Sequence, residues 1–329
     1  MQRIHAHRSK LSRALVLLAV SLSAAISLTC CAGGVASSSS SVTANTEYIA
    51  AYKALSWGTG TTVSFPSECT MNISTTGVPP YHNAYYLAPT SVQYPTTAVY
   101  SPGSNTAYAV IPYTPSAITS SSGSINICPA KASRTTATAG GTIGVILNGE
   151  VLFNGGDGAG VSALNDQASY TFTSGGTTYT AYFIDQCNSH PTPLSGGYAW
   201  HHHATPTCVT ATVDGATGAS HIIGIALDGY PIYGGRDING NVITTSQLDA
   251  CNGITSATPE FPSGAYHYVL PLNVTSYQSS IGCYTGTVSA TTLAEAAKKQ
   301  CNMKAFNQGT PAKPGKHCSP CRRLRPRRS

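Results

Sequence analysis

Ile143-Gly144-Val145-Ile146-Leu147-Asn148-Gly149-Glu150-Val151-Leu152-Phe153-Asn154-Gly155-Gly156-Asp157 and Ile223-Gly224-Ile225-Ala226-Leu227-Asp228-Gly229-Tyr230-Pro231-Ile232-Tyr233-Gly234-Gly235-Arg236-Asp237 are two versions of one pattern. They lie 80 residues apart without a gap, and 6 of the 15 positions are identical. Each is a short apolar run, an Asn-Gly or Asp-Gly pair, and a second apolar run. That order predicts a β-hairpin with a two-residue turn, both central residues in the left-handed region. Pro231 has no N–H to give a neighbouring strand, which predicts an edge position for the second strand of the second hairpin.

The duplication continues downstream. Asp185-Gln186-Cys187-Asn188-Ser189-His190 matches Asp249-Ala250-Cys251-Asn252-Gly253-Ile254, and Gly196-Gly197-Tyr198-Ala199-Trp200-His201-His202-His203 matches the stretch ending Ala265-Tyr266-His267-Tyr268-Val269. Each copy then reaches a further cysteine, Cys208 or Cys283. The first copy runs over about 143–208 and the second over about 223–283, inside a unit at 136–287. Neither half can bury its apolar face alone, so the two are expected to pack together. With only 9% charged residues, 32 Gly and 20 Pro, the chain reads as mainly β, a sandwich-like, internally duplicated, hairpin-containing unit.

The flanks differ in character. Residues 37–46 read as a serine-rich tether, and 47–135, rich in Tyr, Pro, Ser and Thr, as short strands and long turns. In the connector 288–311, Thr292-Leu293-Ala294-Glu295 is a capping box, which predicts a short C-terminal helix over 291–303.

Residues 1–36 read as a targeting segment: Arg3, Arg8, Lys10 and Arg13 precede an apolar run from Ala14 to Leu28, too short for a secure membrane span. Two readings stand. One is a secretory signal cleaved after Ala32 or Ala36. The other is a lipoprotein signal at Leu28-Thr29-Cys30-Cys31, whose N-terminal lipid would tether the chain to a membrane. Both predict export: secretion, a periplasmic location or a lipid anchor at the cell envelope. The net charge of +6 comes from the ends. Residues 312–329 carry seven basic and no acidic residues, a tail expected to be disordered. It is either a surface-adhering arm or an appendage without a role. Between the two basic ends lie 7 basic and 12 acidic residues, so no nucleic-acid partner is expected.

Beyond Cys30 and Cys31, nine of the 11 cysteines remain, an odd number that leaves one free or paired between chains. Equivalent places in the repeat predict Cys187–Cys208 and Cys251–Cys283. Cross-copy pairing, Cys187–Cys251 with Cys208–Cys283, has the same symmetry. Cys69–Cys128 is a further expectation. Cys318-Ser-Pro-Cys321 has the spacing of a zinc or redox pair but no second pair beside it.

Leu227-Asp228-Gly229-Tyr230-Pro231-Ile232-Tyr233-Gly234, then Leu248-Asp249-Ala250-Cys251-Asn252-Gly253, Ala265-Tyr266-His267-Tyr268 and Gly282-Cys283-Tyr284-Thr285-Gly286 resemble, in that order, the YHYH-domain family. The resemblance covers about residues 105–287. It implies an exported, mostly bacterial kind of protein and brings no catalytic residue or activity with it. The chain departs from the namesake pattern: Val269 stands where the family has its second His, and the first copy reads Trp200-His201-His202-His203.

The histidines are the candidate chemistry. On a strand, His201 and His203 share a face and His202 takes the other. His201 corresponds to His267, and a pseudo-twofold axis between the copies would let them approach in a shared pocket. His190 follows a repeat cysteine. His190, His201, His203 and His267 are therefore the candidate ligands for Zn²⁺ or Cu²⁺, with Asp185 or Tyr266 as additional donors. The competing reading is a hydrogen-bonded or solvent-facing histidine cluster. Asp185 and Asp249 read as loop caps that fix the cysteine two residues on, and Asn148 and Asp228 as turn residues. There is no Gly-x-Ser-x-Gly elbow, phosphate loop or His-Glu-x-x-His, and acidic residues are too few to single out a glycosidase pair. The functional readings are a metal-binding exported protein; a non-metal surface protein whose 19 tyrosines form a face for a glycan or cell-surface partner; and, third, a metal-dependent enzyme.

Overall fold

The computed structural model describes residues 39–78, 120–138, 140–156, 162–165, 169–174, 177–182, 184, 187–194, 197–215 and 217–288. The expected C-terminal helix, the targeting segment, the basic tail and Asp185 lie outside them.

The duplicated hairpins build one sheet. In the first copy, β5 (Gly144–Ile146) turns into β6 (Val151–Leu152), which pairs in parallel with β10 (Gly197–His202), itself antiparallel to β9 (Ser189–Leu194). In the second, β11 (Ile222–Ala226) turns into β12 (Pro231–Tyr233), which pairs in parallel with β14 (Ala265–Val269), antiparallel to β13 (Gly253–Ser256). The halves join edge to edge through β5 and β11, giving the order β13-β14-β12-β11-β5-β6-β10-β9. At the seam Gly224 pairs with Ile146, Ile225 with Val145 and Ala226 with Gly144. With the offset of 80, Val145 and Ile225 are equivalent, so the pseudo-twofold axis passes between them. Joining this way closes one edge of each half with backbone hydrogen bonds. The sheet curls, so that the end of one half meets the other: Thr205 Oγ1 donates to the Leu270 carbonyl at 2.7 Å.

Both turns contain three residues, not the two expected. Ile146 N–H donates to Glu150 O and Gly149 N–H to Ile146 O, and Ala226 and Gly229 repeat the pattern with Tyr230 and Ala226. Gly149 (φ 89°) and Gly229 (φ 88°) are left-handed, whereas Asn148 and Asp228 are not. This is a turn closed by a left-handed glycine at the bulge position. The edge position expected from Pro231 is also corrected, because β12 lies inside the sheet. Proline is tolerated there as the first residue of its strand: pairing with β14 begins at Ile232, so no ladder bond needs the missing N–H.

The two turns are capped by elements that precede the repeat. The stretch 37–46, expected as a tether, is helical from Ser39: α1 (Ser39–Lys53) buries Tyr48, Ile49 and Tyr52, and the Tyr52 hydroxyl donates to Gly229 O at 2.5 Å. Serine is a weak helix former, so the docking of Tyr48 and Tyr52, one turn apart, holds this helix in place. A three-stranded sheet, β1 (Thr61–Ser67), β2 (Thr70–Thr75) and β3 (Ser121–Asn126), covers the other turn, with Thr75 Oγ1 donating to Gly149 O at 2.8 Å. β4 (Lys131–Ala137) pairs with β15 (Cys283–Gly286), and β7 (Ser169–Ser174) with β8 (Thr177–Tyr182). Helix α2 (Thr207–Val213) follows β10. Met71, Ile73, Ile125 and Ile127 join Ile143, Ile146, Ile223, Ile225, Ile232 and Tyr268 in a common core.

Cys69–Cys128, Cys187–Cys208 and Cys251–Cys283 are bonded, with Cα separations of 5.0, 5.4 and 4.7 Å, and the cross-copy alternative is not formed. Three disulfides suit an oxidising setting such as the extracellular space or the periplasm. Among the described residues no helix is long and apolar enough to cross a membrane.

Candidate functional site

The antiparallel register of β9 and β10 sets His190 directly opposite His201, so their side chains share a sheet face. His203, two residues beyond His201, joins the same face at the strand end. Its backbone N–H donates to Asn188 O at 3.0 Å, which fixes the exit from β10. The result is a cluster of three imidazoles with His203 Nε2 3.0 Å from the Nε2 of both His190 and His201. All three are buried, at 4%, 1% and 2% exposure. The Phe153 ring stacks on His201, 3.8 Å between centroids, and holds an apolar wall against the cluster.

The donor set suits a cation. Nδ1 of His203 lies 2.6 Å from the Asn154 carbonyl, which can only accept, so that nitrogen carries the hydrogen. In the neutral ring Nε2 then has its lone pair turned toward the other two rings. A single in-plane lone pair accepts one N–H well, whereas here two ring nitrogens approach it. Nitrogens 3.0 Å apart can each lie about 2 Å from a common ion. The Asn154 carbonyl plays the part of an outer partner that fixes the tautomer of a ligating histidine. Among the described residues, this is where three His, Cys, Asp or Glu donors come within 4.8 Å of one another, and the cluster could hold a metal.

His267 is not part of it. The nitrogens that come within 4.8 Å of one another are those of His190, His201 and His203. His267, expected to share this pocket with His201, is not one of the three. His267 is buried against the Tyr233 ring, 4.6 Å between centroids, and its Nδ1 lies 2.9 Å from Ala265 O. Burial holds its pKa below the usual imidazole value. The rest of the first copy's cluster is also replaced in the second copy. Ile254 stands for His190 and Val269 for His203.

The opposite face carries a network that the sequence reading left out. His202 and Glu150 are both fully buried, with Nε2 3.3 Å from Oε2. Ser189 Oγ donates to Glu150 Oε2 at 2.5 Å, Asn148 Nδ2 to Oε1 at 2.6 Å, and His202 Nδ1 faces the Cys187 carbonyl at 3.0 Å. In the second copy the carboxylate moves to the turn: Tyr268, at the position of His202, donates to Asp228 Oδ2 at 2.5 Å, and Gly286 N–H donates to the same oxygen at 2.8 Å. Burial raises the Asp228 pKa. Asn148 and Asp228 therefore do more than shape turns. The signal available in the sequence was a lone acidic residue, Glu150, between two apolar runs.

Asp249 caps its cysteine loop as expected, accepting from the N–H groups of Cys251 and Gly253 at 2.8 and 2.7 Å. Its other oxygen takes the Tyr266 hydroxyl at 2.9 Å, so Tyr266 is engaged within the second copy. Of the tyrosines considered for a contact face, Tyr48, Tyr52, Tyr230, Tyr233, Tyr268 and Tyr284 are buried, and Tyr277 is exposed.

No curated protein and no solved structure matches the chain. The family described as "YHYH protein" matches residues 122–242 and 237–286, a span that takes in the whole eight-stranded sheet and the histidine cluster. Together the two matched segments cover half of the chain, which therefore belongs to the YHYH protein family.

Proposed function

We propose that this is an exported metal-binding protein that holds Zn²⁺ or Cu²⁺ through Nε2 of His190, His201 and His203. The observation that carries the reading is the convergence of three buried ring nitrogens on one point, with the His203 tautomer set by the Asn154 carbonyl. Imidazole donors suit both metals. Ligation needs neutral rings, so affinity falls as acid protonates them. Export is supported by the disulfides and by the basic-then-apolar N-terminus. Cell fractionation with mass spectrometry of the N-terminal peptide tests it; a chain found only in the cytoplasm with Met1 intact would overturn it.

Titration of the purified, oxidised chain with Zn²⁺ and with Cu²⁺, followed by elemental analysis, tests the metal reading. One ion per chain is expected beyond what a His190→Ala, His201→Ala, His203→Ala triple variant retains. That variant controls for binding by Cys318, Cys321 and the tail. Equal metal content in the two proteins would overturn the reading.

A further inference from the structure

All three imidazoles lie inside one disulfide loop. Cys187 and Cys208 are 21 residues apart, and His190, His201 and His203 fall between them. β9 and β10 form a hairpin joined through residues 195–196, and the ligand candidates sit at the end away from that connection. His190↔His201 and His202↔Ser189 are the last two pairs at the open end. The open end of a hairpin frays first, and among the described residues β9 is also the edge strand of the sheet. The bond between Cys187 and Cys208 joins the chain just before β9 to the helix just after β10 and so closes this open end. The Cys187 loop is woven into the same place: Asn188 O accepts the His203 N–H, and Asn188 Nδ2 donates to Thr205 O at 2.8 Å.

We infer that the Cys187–Cys208 disulfide assembles the metal site, so that the chain takes up metal tightly only once it is oxidised. The inference rests on the metal reading above. Oxidation removes one hydrogen from each thiol and joins the sulfurs. The two protons and two electrons pass to a disulfide oxidant of the export compartment, which is left as a dithiol. Before export the thiols stay reduced, the open end frays, and His190 is not held opposite His201. The second copy supplies an internal control. Cys251–Cys283 holds the equivalent Cys251 loop beside β13 and β14, where Ile254 and Val269 replace two of the histidines.

The test compares Zn²⁺ affinity in the full oxidised chain, in a Cys187→Ser, Cys208→Ser variant and in a Cys251→Ser, Cys283→Ser variant. Serine is used because free thiolates would themselves bind zinc. Far-UV circular dichroism checks that each is folded. Affinity is expected to fall about tenfold or more in the first variant, the size typical when support for metal ligands is lost, and to stay near wild type in the second. A second measurement uses the wild-type chain alone. Saturating Zn²⁺ should slow phosphine reduction of Cys187–Cys208, followed by alkylation and mass spectrometry, and leave Cys251–Cys283 unchanged; this arm decides if the first variant does not fold. Unchanged affinity in a folded Cys187→Ser, Cys208→Ser variant overturns the coupling while the metal reading stands. A wild-type chain that binds no more Zn²⁺ than the triple histidine variant overturns both.

Discussion

Val145 and Ile225 pair across the centre of the eight-stranded sheet, and each holds the other's position in the duplicated sequence. A seam of equivalent residues needs close approach on both sides. A Cβ on Gly224 would lie 2.5 Å from the Val145 carbonyl oxygen and 2.9 Å from Ile146 Cδ1. Gly224→Ala is therefore expected to cost about 1–3 kcal/mol, as overpacking does in tight interiors. Gly123→Ala, on β3 with nothing within 4 Å, should stay within about 0.5 kcal/mol of wild type. Urea unfolding of the two variants checks the difference.

The hairpin glycines should be unequal. Valine is disfavoured at positive φ, so Gly149→Val and Gly229→Val should each cost roughly 1 kcal/mol or more. At Gly149 the new side chain meets the hydroxyls of Thr61 and Thr75, which can rotate; at Gly229 it meets the backbone carbonyl of Asn126, which cannot. The Gly229 variant should melt lower, as thermal unfolding would show.

His202 and His203 should separate stability from binding. His202→Ala leaves the three converging imidazoles in place but strips one partner from buried Glu150 and one from Asn148, at an expected cost of about 2–3 kcal/mol. His203→Ala should instead remove metal uptake. Denaturant curves and zinc titrations on the same two proteins read both effects, and a His202→Ala chain as stable as wild type would contradict the role of the network.

Acid should act through His267. Burial lowers its folded pKa below the unfolded value, so between the two values the unfolded chain binds more protons. The stability this neutral ring contributes is present above about pH 6.5 and is lost as pH falls through the folded value. His267→Gln should make the decline in stability between pH 7 and 5 shallower. Unfolding midpoints at several pH values test the slope, and an unchanged slope would show that this ring is not a source of it.

Removing Cys69 and Cys128 should cost about 4 kcal/mol, because the bond spans 59 residues and long loops gain most in the chain-entropy model. The double serine variant and the wild type, compared by guanidinium unfolding, give the value. A loss under 1 kcal/mol would show that the β1–β3 sheet is held by packing alone.

Much of this architecture was legible in the chain. The gap-free repeat announced the duplication, the glycines marked the left-handed turn positions, and equivalent places in the repeat narrowed four cysteines to two symmetric pairings, of which the within-copy one formed. The strand period of two put His201 and His203 on one face. These are local or self-referential signals, in which a residue's neighbours in sequence, or its twin 80 residues away, limit what it can do.

The rest was decided by which edges met. Nothing within a hairpin says whether its partner copy stacks on it or joins its edge; here the halves join through β5 and β11, and β12 is an inner strand because β14 of its own copy pairs on its other side. The register of β9 on β10 likewise chose His190 as the third imidazole, and folding of α1 onto the second turn made a serine-rich stretch helical. The sequence by itself determined that there are two like halves with histidines on a strand. Only the tertiary structure decided which histidines meet, because long-range strand pairing depends on backbone edges and shape complementarity that no short stretch of residues encodes.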